Sequence, residues 1–201
     1  MSADIRYVME VIPEGHGLVL DLGGGRGSLR SPIEERGYRY LNLDHAGLGE
    51  KDISLAGDAH QLPFKDKSFD ILISKDTLEH FVNPWRVMDE VRRVLKEGGL
   101  FIIWVPFMHP FHGDDLYRYT PLALRRMLKA FDILSFDSPL WVCTILGSTL
   151  IQILKKVHLK GLEVPVKRFC HSMDRLLTQN MKEPSGFAAA YRIVAVKKSH
   201  E

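Results

Sequence analysis

A glycine-rich segment early in the chain has the composition of a ligand-binding turn. Segment 21–27 directly follows an apolar run of strand type and contains four glycines. Glycines there permit positive φ angles and let backbone N–H groups approach a ligand closely. Asp44 ends a second apolar run about 20 residues downstream, where a carboxylate can accept hydrogen bonds from both hydroxyls of a ribose. This pairing predicts a site for a nucleoside-containing cofactor.

The spacing of these glycines argues against a dinucleotide-binding fingerprint. The pattern Gly-x-Gly-x-x-Gly would require glycine at position 28 or 30, where the chain has Ser28 and Arg30. Asp21, two residues before the first glycine, would repel a pyrophosphate but suits a ligand that presents an ammonium group. An NAD-dependent oxidoreductase is therefore disfavoured.

Three histidines are candidates for proton transfer, because an imidazole titrates near neutral pH. His80 follows the fourth apolar run, while His109 and His112 lie in segment 106–121 after the fifth run. That segment is expected above the carboxyl edge of the sheet, where open α/β sheets bind their ligands. We favour His112 as the base if the reaction needs one.

Segment 106–121 has two other interpretations. It is a structural loop if Arg118 pairs with Asp114 or Asp115 and Thr120 caps the next helix. Two histidines and Asp114 also have the side chains of metal ligands, but no second cluster of such residues accompanies them. We therefore predict no metal site.

Seven short apolar runs predict seven β-strands. Runs of Val, Ile and Leu are typical of strands covered on both faces. Asn83 and Pro84 begin a helix between the fourth and fifth runs, and Gly98 and Gly99 end it. Strands that alternate with helices predict a single α/β domain, 1–201, with a Rossmann-like, mostly parallel sheet. The predicted strands are 17–22, 40–44, 53–56, 69–74, 100–105, 131–136 and 191–196.

Segment 139–185 is a helical insertion before the last strand. The predicted helix 141–156 has one narrow polar stripe, formed by Thr144, Ser148, Gln152 and Lys155. A second amphipathic helix is marked by Phe169, Met173, Leu176 and Leu177. Segment 155–183 has seven basic and three acidic residues, a local excess of +4. The insertion is interpreted as lid helices packed on the core, as an apolar-substrate site or a peripheral membrane contact through 139–160, or as a docking surface for a macromolecule.

The composition is that of an ordinary globular domain. The 201 residues suit one domain, and 27 basic against 25 acidic residues give a net charge of +2, too small to predict a nucleic-acid partner. Cys143 and Cys170 form no metal or disulfide pattern, which fits a reducing compartment. The charged N-terminus is no secretory signal, and the longest charge-free run, 17 residues over 138–154, is short for a membrane span. We expect a cytoplasmic protein.

Several motifs together resemble class I S-adenosylmethionine-dependent methyltransferases of the methyltransferase type 11 kind. The resemblance covers 15–137 and the last strand. Its motifs are the turn 21–27, Asp44, Gly-Asp-Ala at 57–59 followed by Leu-Pro-Phe at 62–64, and segments 69–80 and 91–99. The resemblance implies that fold and an S-adenosylmethionine cofactor. We expect cofactor contacts from Asp21, Gly23, Gly24, Gly25, Asp44, Asp58, Ala59, Ser74 and Lys75.

The same resemblance implies methyl transfer to a small molecule or to an acceptor linked to a lipid or glycan, with S-adenosylhomocysteine as product. No Asn-Pro-Pro-Tyr motif follows the fourth run, which disfavours N-methylation of an amide or nucleobase. The alternative function is that of a binding module with this fold, which acts through partners and does not turn the cofactor over.

Overall fold

A seven-stranded sheet forms the centre of the computed structural model, which describes residues 3–45, 55–110, 113–158, 160–181, 184 and 186–198. The strands are β1 Gly17–Leu22, β2 Tyr38–Asp44, β3 Leu55–Ala56, β4 Phe69–Lys75, β5 Leu95–Pro106, β6 Phe131–Leu140 and β7 Ala190–Lys197. Their order is β3-β2-β1-β4-β5-β7-β6. Strand β7 is antiparallel to β5 and β6, and the other pairings are parallel. The predicted α/β class and mostly parallel sheet are confirmed.

Six helices within the described residues connect or flank these strands. They are α1 Ala3–Met9, α2 Arg30–Glu34, α3 Pro84–Val94, α4 Pro121–Met127, α5 Val142–Lys156 and α6 Glu163–Thr178, with 3-10 turns at Leu78–His80 and Lys160–Leu162. Helix α4 begins as predicted, because the Thr120 side chain accepts a hydrogen bond from the Ala123 N–H at 3.3 Å. No helix in the part of the chain that the structure describes has the length and apolar character of a membrane span.

Helix α3 begins where the sequence predicts but ends earlier. The Asn83 side chain caps its first turn. We predicted that Gly98 and Gly99 end the helix, and this is wrong. The helix ends before Leu95, because Leu95 already pairs with Phe69 as the start of β5.

The sheet is buried on both faces, as its unbroken apolar runs predict. Along β5, Phe101 and Ile103 pack in one core with residues of α3 and α4. The alternate residues Ile102 and Trp104 pack in the other core with residues of α1 and α2. Each of these four side chains is at most 2% exposed, and full burial of such a side chain is worth about 1.5–3 kcal/mol. This two-sided packing fixes β1 and β4 centrally, and with them the carboxyl edge that carries the candidate site.

A buried carboxylate joins the two helices of the insertion. Asp174 of α6 is fully buried and accepts the N–H groups of Trp141 at 2.7 Å, Cys143 at 2.9 Å and Thr144 at 2.9 Å. These N–H groups lie at the first turn of α5, where a negative charge also complements the helix dipole. Asp174 therefore fixes the N-terminus of α5 against α6.

Much of the apolar surface of α5 and α6 is exposed, although Ile145 packs against the core and Ile151 is buried. On α5 the predicted polar stripe begins at Thr144, which is buried beside Gly147 and Ile151. On α6 three residues that mark its apolar side are exposed, namely Phe169, Leu176 and Leu177. The insertion therefore leaves much of its apolar surface outward, and the interpretation of α5 and α6 as lid helices packed on the core stays a prediction.

Candidate functional site

The glycine turn after β1 lies against the end of β2. The Gly23 N–H donates to the Leu43 carbonyl at 2.8 Å, and the Gly25 N–H donates to Asp44 Oδ2 at 2.7 Å. Asn42 Nδ2 donates to the Gly25 carbonyl at 2.7 Å. Gly23 and Gly25 have φ angles of 75° and 50°, which favour glycine. The turn and the acidic residue that the sequence assigned to one ligand are therefore in direct contact.

Asp21 is buried beneath this turn. Its Oδ2 accepts a hydrogen bond from the Tyr40 hydroxyl at 2.5 Å, whereas Oδ1 has no hydrogen-bond partner among the described residues. Burial raises the pKa of Asp21 to about 6, against the opposing effects of Tyr40 and Lys75. A Cβ at position 24 would collide with the Asp21 carboxylate, so Gly24 is required for close packing.

Two cavities open at this edge of the sheet. The turn cavity, of about 320 Å³, is lined by Asp21 and the glycine turn. The large cavity, of about 1040 Å³, is lined by Asp44, Asp58 and Ala59, among others. Asp58 Oδ1 accepts the His60 N–H at 2.8 Å and lies 2.6 Å from His60 Nδ1, and these contacts lower the pKa of Asp58. The structure thus brings most of the predicted cofactor residues to two adjoining spaces.

Ser74 and Lys75 differ in their access to these spaces. Ser74 is fully buried in β4, lines neither cavity, and its Oγ makes no hydrogen bond with the described residues. Lys75 lines the turn cavity, with its Nζ 2.6 Å from Asp76 and 2.8 Å from Asp4 of α1. Burial would lower the pKa of Lys75, but the two carboxylates raise it above its usual value. The lysine is therefore charged at neutral pH.

Asp76 lies where three cavities meet. It lines the turn cavity, the large cavity and a third space of about 370 Å³, the insertion cavity, which reaches α5 and α6. Its φ angle is 51°, a conformation that is uncommon for a residue other than glycine and costs roughly 1–3 kcal/mol. Asp76 directly follows β4, at the edge of the sheet where ligands are expected. No motif in the sequence, however, indicates that it would border three cavities.

The insertion cavity has an apolar wall and several polar side chains. Trp104 and Leu140 contribute apolar surface, and Thr144, Ser148 and His171 come from α5 and α6. Thr144 is buried, and its Oγ1 has no hydrogen-bond partner among the described residues. Burial lowers the pKa of His171, so its imidazole is neutral at pH 7. Sequence analysis missed Thr144 and His171 as cavity residues, because only tertiary packing shows which sides of α5 and α6 face inward.

His80 lines both the turn cavity and the large cavity. Its Nδ1 lies 3.2 Å from the Asp114 carbonyl oxygen and 3.5 Å from Asp115 Oδ1. His80, Glu79 and Asp115 bring possible metal-ligand atoms within 4.8 Å of one another. Arg118 Nη2 is 2.6 Å from Asp115 Oδ2, so a guanidinium already supplies positive charge to this group.

The loop between β5 and α4 has contacts that bear on two of its predicted roles. The Arg118–Asp115 pair and the Thr120 cap confirm the structural contacts. His109 is exposed and lines the insertion cavity, and its acid–base role stays a prediction. His112 lies outside the described residues, so its proposed role stays a prediction.

Comparison with known proteins agrees with this geometry. Residues 20–103, from β1 into β5, match the family described as "Methyltransferase domain". Over these 84 of the 201 residues the chain is similar to the methyltransferase domain family. An uncharacterized methyltransferase of Mycobacterium sp. (strain KMS) is 32% identical over 126 residues. That alignment covers 57% of this chain and 49% of the relative, so the chain spans about half the length of the curated relative it matches.

Two solved structures show the fold of the chain, which is that of class I methyltransferases. A protein of Bacillus halodurans C-125 superposes with a TM-score of 0.62 and 18% identity, covering 98% of this chain and 100% of that chain. Phosphoethanolamine N-methyltransferase 2 of Haemonchus contortus, solved with phosphomonomethylethanolamine and S-adenosylhomocysteine, gives a TM-score of 0.60 and 17% identity. The latter match covers 97% of this chain and 52% of that chain. At these identities the likeness concerns the fold alone.

Proposed function

We propose that the chain transfers a methyl group from S-adenosylmethionine to a small-molecule acceptor or to one linked to a lipid or glycan. The observation that carries this proposal is the position of Asp76, which lines the two cavities beside the glycine turn and also the insertion cavity. Two reactants held on either side of one residue can meet without leaving the protein. Such positioning supplies much of the acceleration in an in-line displacement.

The residues around the glycine turn fit this cofactor. Asp44 would hold the ribose hydroxyls, and Asp58 and Ala59 would border the adenine in the large cavity. Asp21 Oδ1, which lacks a hydrogen-bond partner among the described residues, would accept from an ammonium group at the turn. A Cβ added to Gly25 would project into open space, where a larger side chain would obstruct a ligand. When bound, the cofactor supplies a methyl group already activated by its sulfonium centre.

The insertion cavity is the proposed acceptor site. Trp104 and Leu140 offer an apolar surface, and the Thr144 and Ser148 hydroxyls can orient a polar group of the acceptor. His171 is neutral at pH 7 and can accept a proton if the attacked atom carries one. His80, His109 and His112 remain the candidates that the sequence proposed for this role.

Transfer of a labelled methyl group tests the proposed function. The purified protein is incubated with methyl-labelled S-adenosylmethionine and a cell extract divided into small-molecule, lipid and glycan fractions. We expect S-adenosylhomocysteine and a labelled product from at least one fraction, and no product after heat inactivation. Cofactor binding with no methyl transfer in any fraction would overturn the proposed enzymatic activity and favour the binding module.

A matched pair of substitutions on α5 tests the acceptor site. Ser148→Trp fills the insertion cavity, whereas Thr149→Trp adds the same bulk at the neighbouring exposed position. We expect Ser148→Trp to abolish product formation with S-adenosylmethionine affinity unchanged, and Thr149→Trp to leave both near wild type. Full activity of Ser148→Trp would place the acceptor elsewhere.

A further inference from the structure

The outer side of α5 carries a continuous stripe of exposed apolar side chains. Leu146, Leu150, Ile153 and Val157 follow one another at helical spacing and are 64%, 44%, 54% and 56% exposed. The side of the helix that faces the protein is formed by Thr144, Gly147 and Ile151. Single exposed apolar residues are ordinary, but a stripe over three turns needs a partner.

Helix α6 extends this surface. Phe169, Leu176 and Leu177 are 66%, 58% and 46% exposed. A groove of about 450 Å³ runs between the two helices, and its walls are almost wholly apolar. Its lining includes Leu146, Gly147 and Leu150 of α5 and Val166, Phe169 and Cys170 of α6. We call the stripe, the groove and the exposed residues of α6 the outer face.

The segment that forms the outer face has an excess of basic residues. Segment 139–181 contains six basic and two acidic residues, a net charge of +4. Of the two acids, Asp174 is buried as the cap of α5, and Glu163 lies 3.6 Å from Lys155. Lys156 and Arg168 are exposed. Arg175 lies 3.0 Å from Glu10 and Lys167 lines the insertion cavity, so the cations that the structure shows beside the apolar surface are Lys155, Lys156 and Arg168.

We propose that the outer face docks on an anionic lipid surface, with its apolar side chains among the acyl chains and its lysines and arginines at the head groups. An amphipathic helix with basic residues beside an apolar face has the features of an interfacial element. A second copy of the chain fits less well, because a two-fold interface would bring two segments of charge +4 together. Anionic head groups would neutralise that charge.

The groove of the outer face and the insertion cavity lie on opposite sides of the same residues. Gly147 and Cys170 line both the groove and the insertion cavity. A Cβ at Gly147 would meet Cys170 Sγ at 2.5 Å, so this contact separates the two spaces by a single layer of residues. If the insertion cavity holds the acceptor, which rests on the proposed function, docking would place that cavity against the bilayer and favour a lipid-linked acceptor.

Sedimentation with vesicles tests the docking. We expect the protein to bind vesicles of phosphatidylcholine with phosphatidylglycerol, to bind pure phosphatidylcholine at least about ten-fold more weakly, and to be released by salt. Lys155→Glu with Lys156→Glu, and separately Leu150→Gln with Ile153→Gln, should each weaken binding by at least about ten-fold. Lys129→Glu and Leu134→Gln, at exposed positions outside the insertion, should leave binding unchanged.

Equal binding to both vesicle types, or none to either, would overturn the docking. So would a concentration-dependent dimer that Leu150→Gln with Ile153→Gln dissociates while vesicle binding is absent, since the outer face would then be a self-interface. S-adenosylmethionine titration of the same samples separates the two proposals. Cofactor binding without vesicle binding contradicts only the docking, and vesicle binding without cofactor binding contradicts only the proposed function.

Discussion

Asp44 Oδ2 accepts a 2.7 Å hydrogen bond from the Gly25 N–H, so the carboxylate that ends β2 also holds the turn that follows β1. One side chain therefore shapes the turn and lines the large cavity. Removal of the Asp44 carboxylate should therefore weaken ligand binding in two ways. The direct contact with the ligand is lost, and the glycine turn loses the hydrogen bond that holds it in position.

We expect Asp44→Ala to weaken S-adenosylmethionine binding by about ten-fold to one hundred-fold, because a hydrogen bond to a charged group is worth roughly 1.5–3 kcal/mol. Calorimetric titration measures this change. Asp132→Ala, on the outermost strand β6, is the matched control and should bind as wild type. An unchanged affinity of Asp44→Ala for S-adenosylmethionine would show that Asp44 does not contribute to cofactor binding.

Gly25→Val should abolish cofactor binding, because the side chain would enter the space over the turn. Gly98→Val is its control, since Gly98 also has a positive φ of 70° and open space around its Cβ position. Both substitutions should cost roughly 1–3 kcal/mol of folding free energy in urea denaturation. Only Gly25→Val should lose binding, and retained binding there would show that the turn is not the cofactor cradle.

His112→Ala should lower kcat by at least about ten-fold while cofactor affinity stays near wild type. This expectation follows from the sequence, because His112 lies outside the described residues. Parallel His80→Ala and His109→Ala variants rank the three candidate bases in the labelled-methyl assay. An equal loss of cofactor binding in His112→Ala would identify the loop as structural.

The raised pKa of the buried Glu79 carboxyl makes the free energy of unfolding depend on pH. Burial raises its pKa to about 7, helped by the Asp76 and Asp115 carboxylates, from an ordinary value of 4.5. Between these two values the folded state binds more protons than the unfolded state, so stability is lost as the pH rises. Urea denaturation should show Glu79→Gln gaining stability relative to wild type from about pH 5 to about pH 8.

Glu97→Gln is the control for this pH series. Hydrogen bonding to Lys67 lowers the pKa of Glu97, so its contribution is already complete at pH 5 and the difference from wild type should stay constant. A constant difference for Glu79→Gln as well would show that Glu79 is ionised throughout.

Asp174→Ala should destabilise the chain by about 2 kcal/mol or more, because three N–H groups at the start of α5 lose their acceptor. Asp174→Asn keeps one acceptor oxygen and should cost less. Urea denaturation at neutral pH measures both variants, with Asp132→Ala as the control. Equal stability of Asp174→Ala and wild type would contradict the capping role.

The sheet could be predicted because its strands are unbroken apolar runs. Runs of this kind are typical of strands that are buried on both faces of a sheet. The Asn83–Pro84 start of α3 is similarly local, whereas its end depends on the pairing of Leu95 with Phe69 across the sheet. Asp44 and the glycine turn could be proposed as a site from the sequence, because Asp44 ends one apolar run and the turn directly follows another. The capping of α5 by Asp174 was not, since the two groups are about 30 residues apart and meet only through tertiary packing.

The insertion shows the limit of periodicity most clearly. The pattern gives α5 and α6 an apolar and a polar side, but Thr144 faces inward and Leu150 outward. Which side faces inward depends on the surface that receives the helix, and here that surface is a cavity with Asp76 at its edge. His171 belongs to the same cavity for the same reason.

Titration calorimetry of the wild-type protein with S-adenosylmethionine, with NAD as the comparison ligand, tests the central claim most directly. The geometry of the glycine turn, Asp21 and Asp44 predicts saturable binding of one S-adenosylmethionine per chain and no binding of NAD. Saturable binding of NAD with none of S-adenosylmethionine would contradict it.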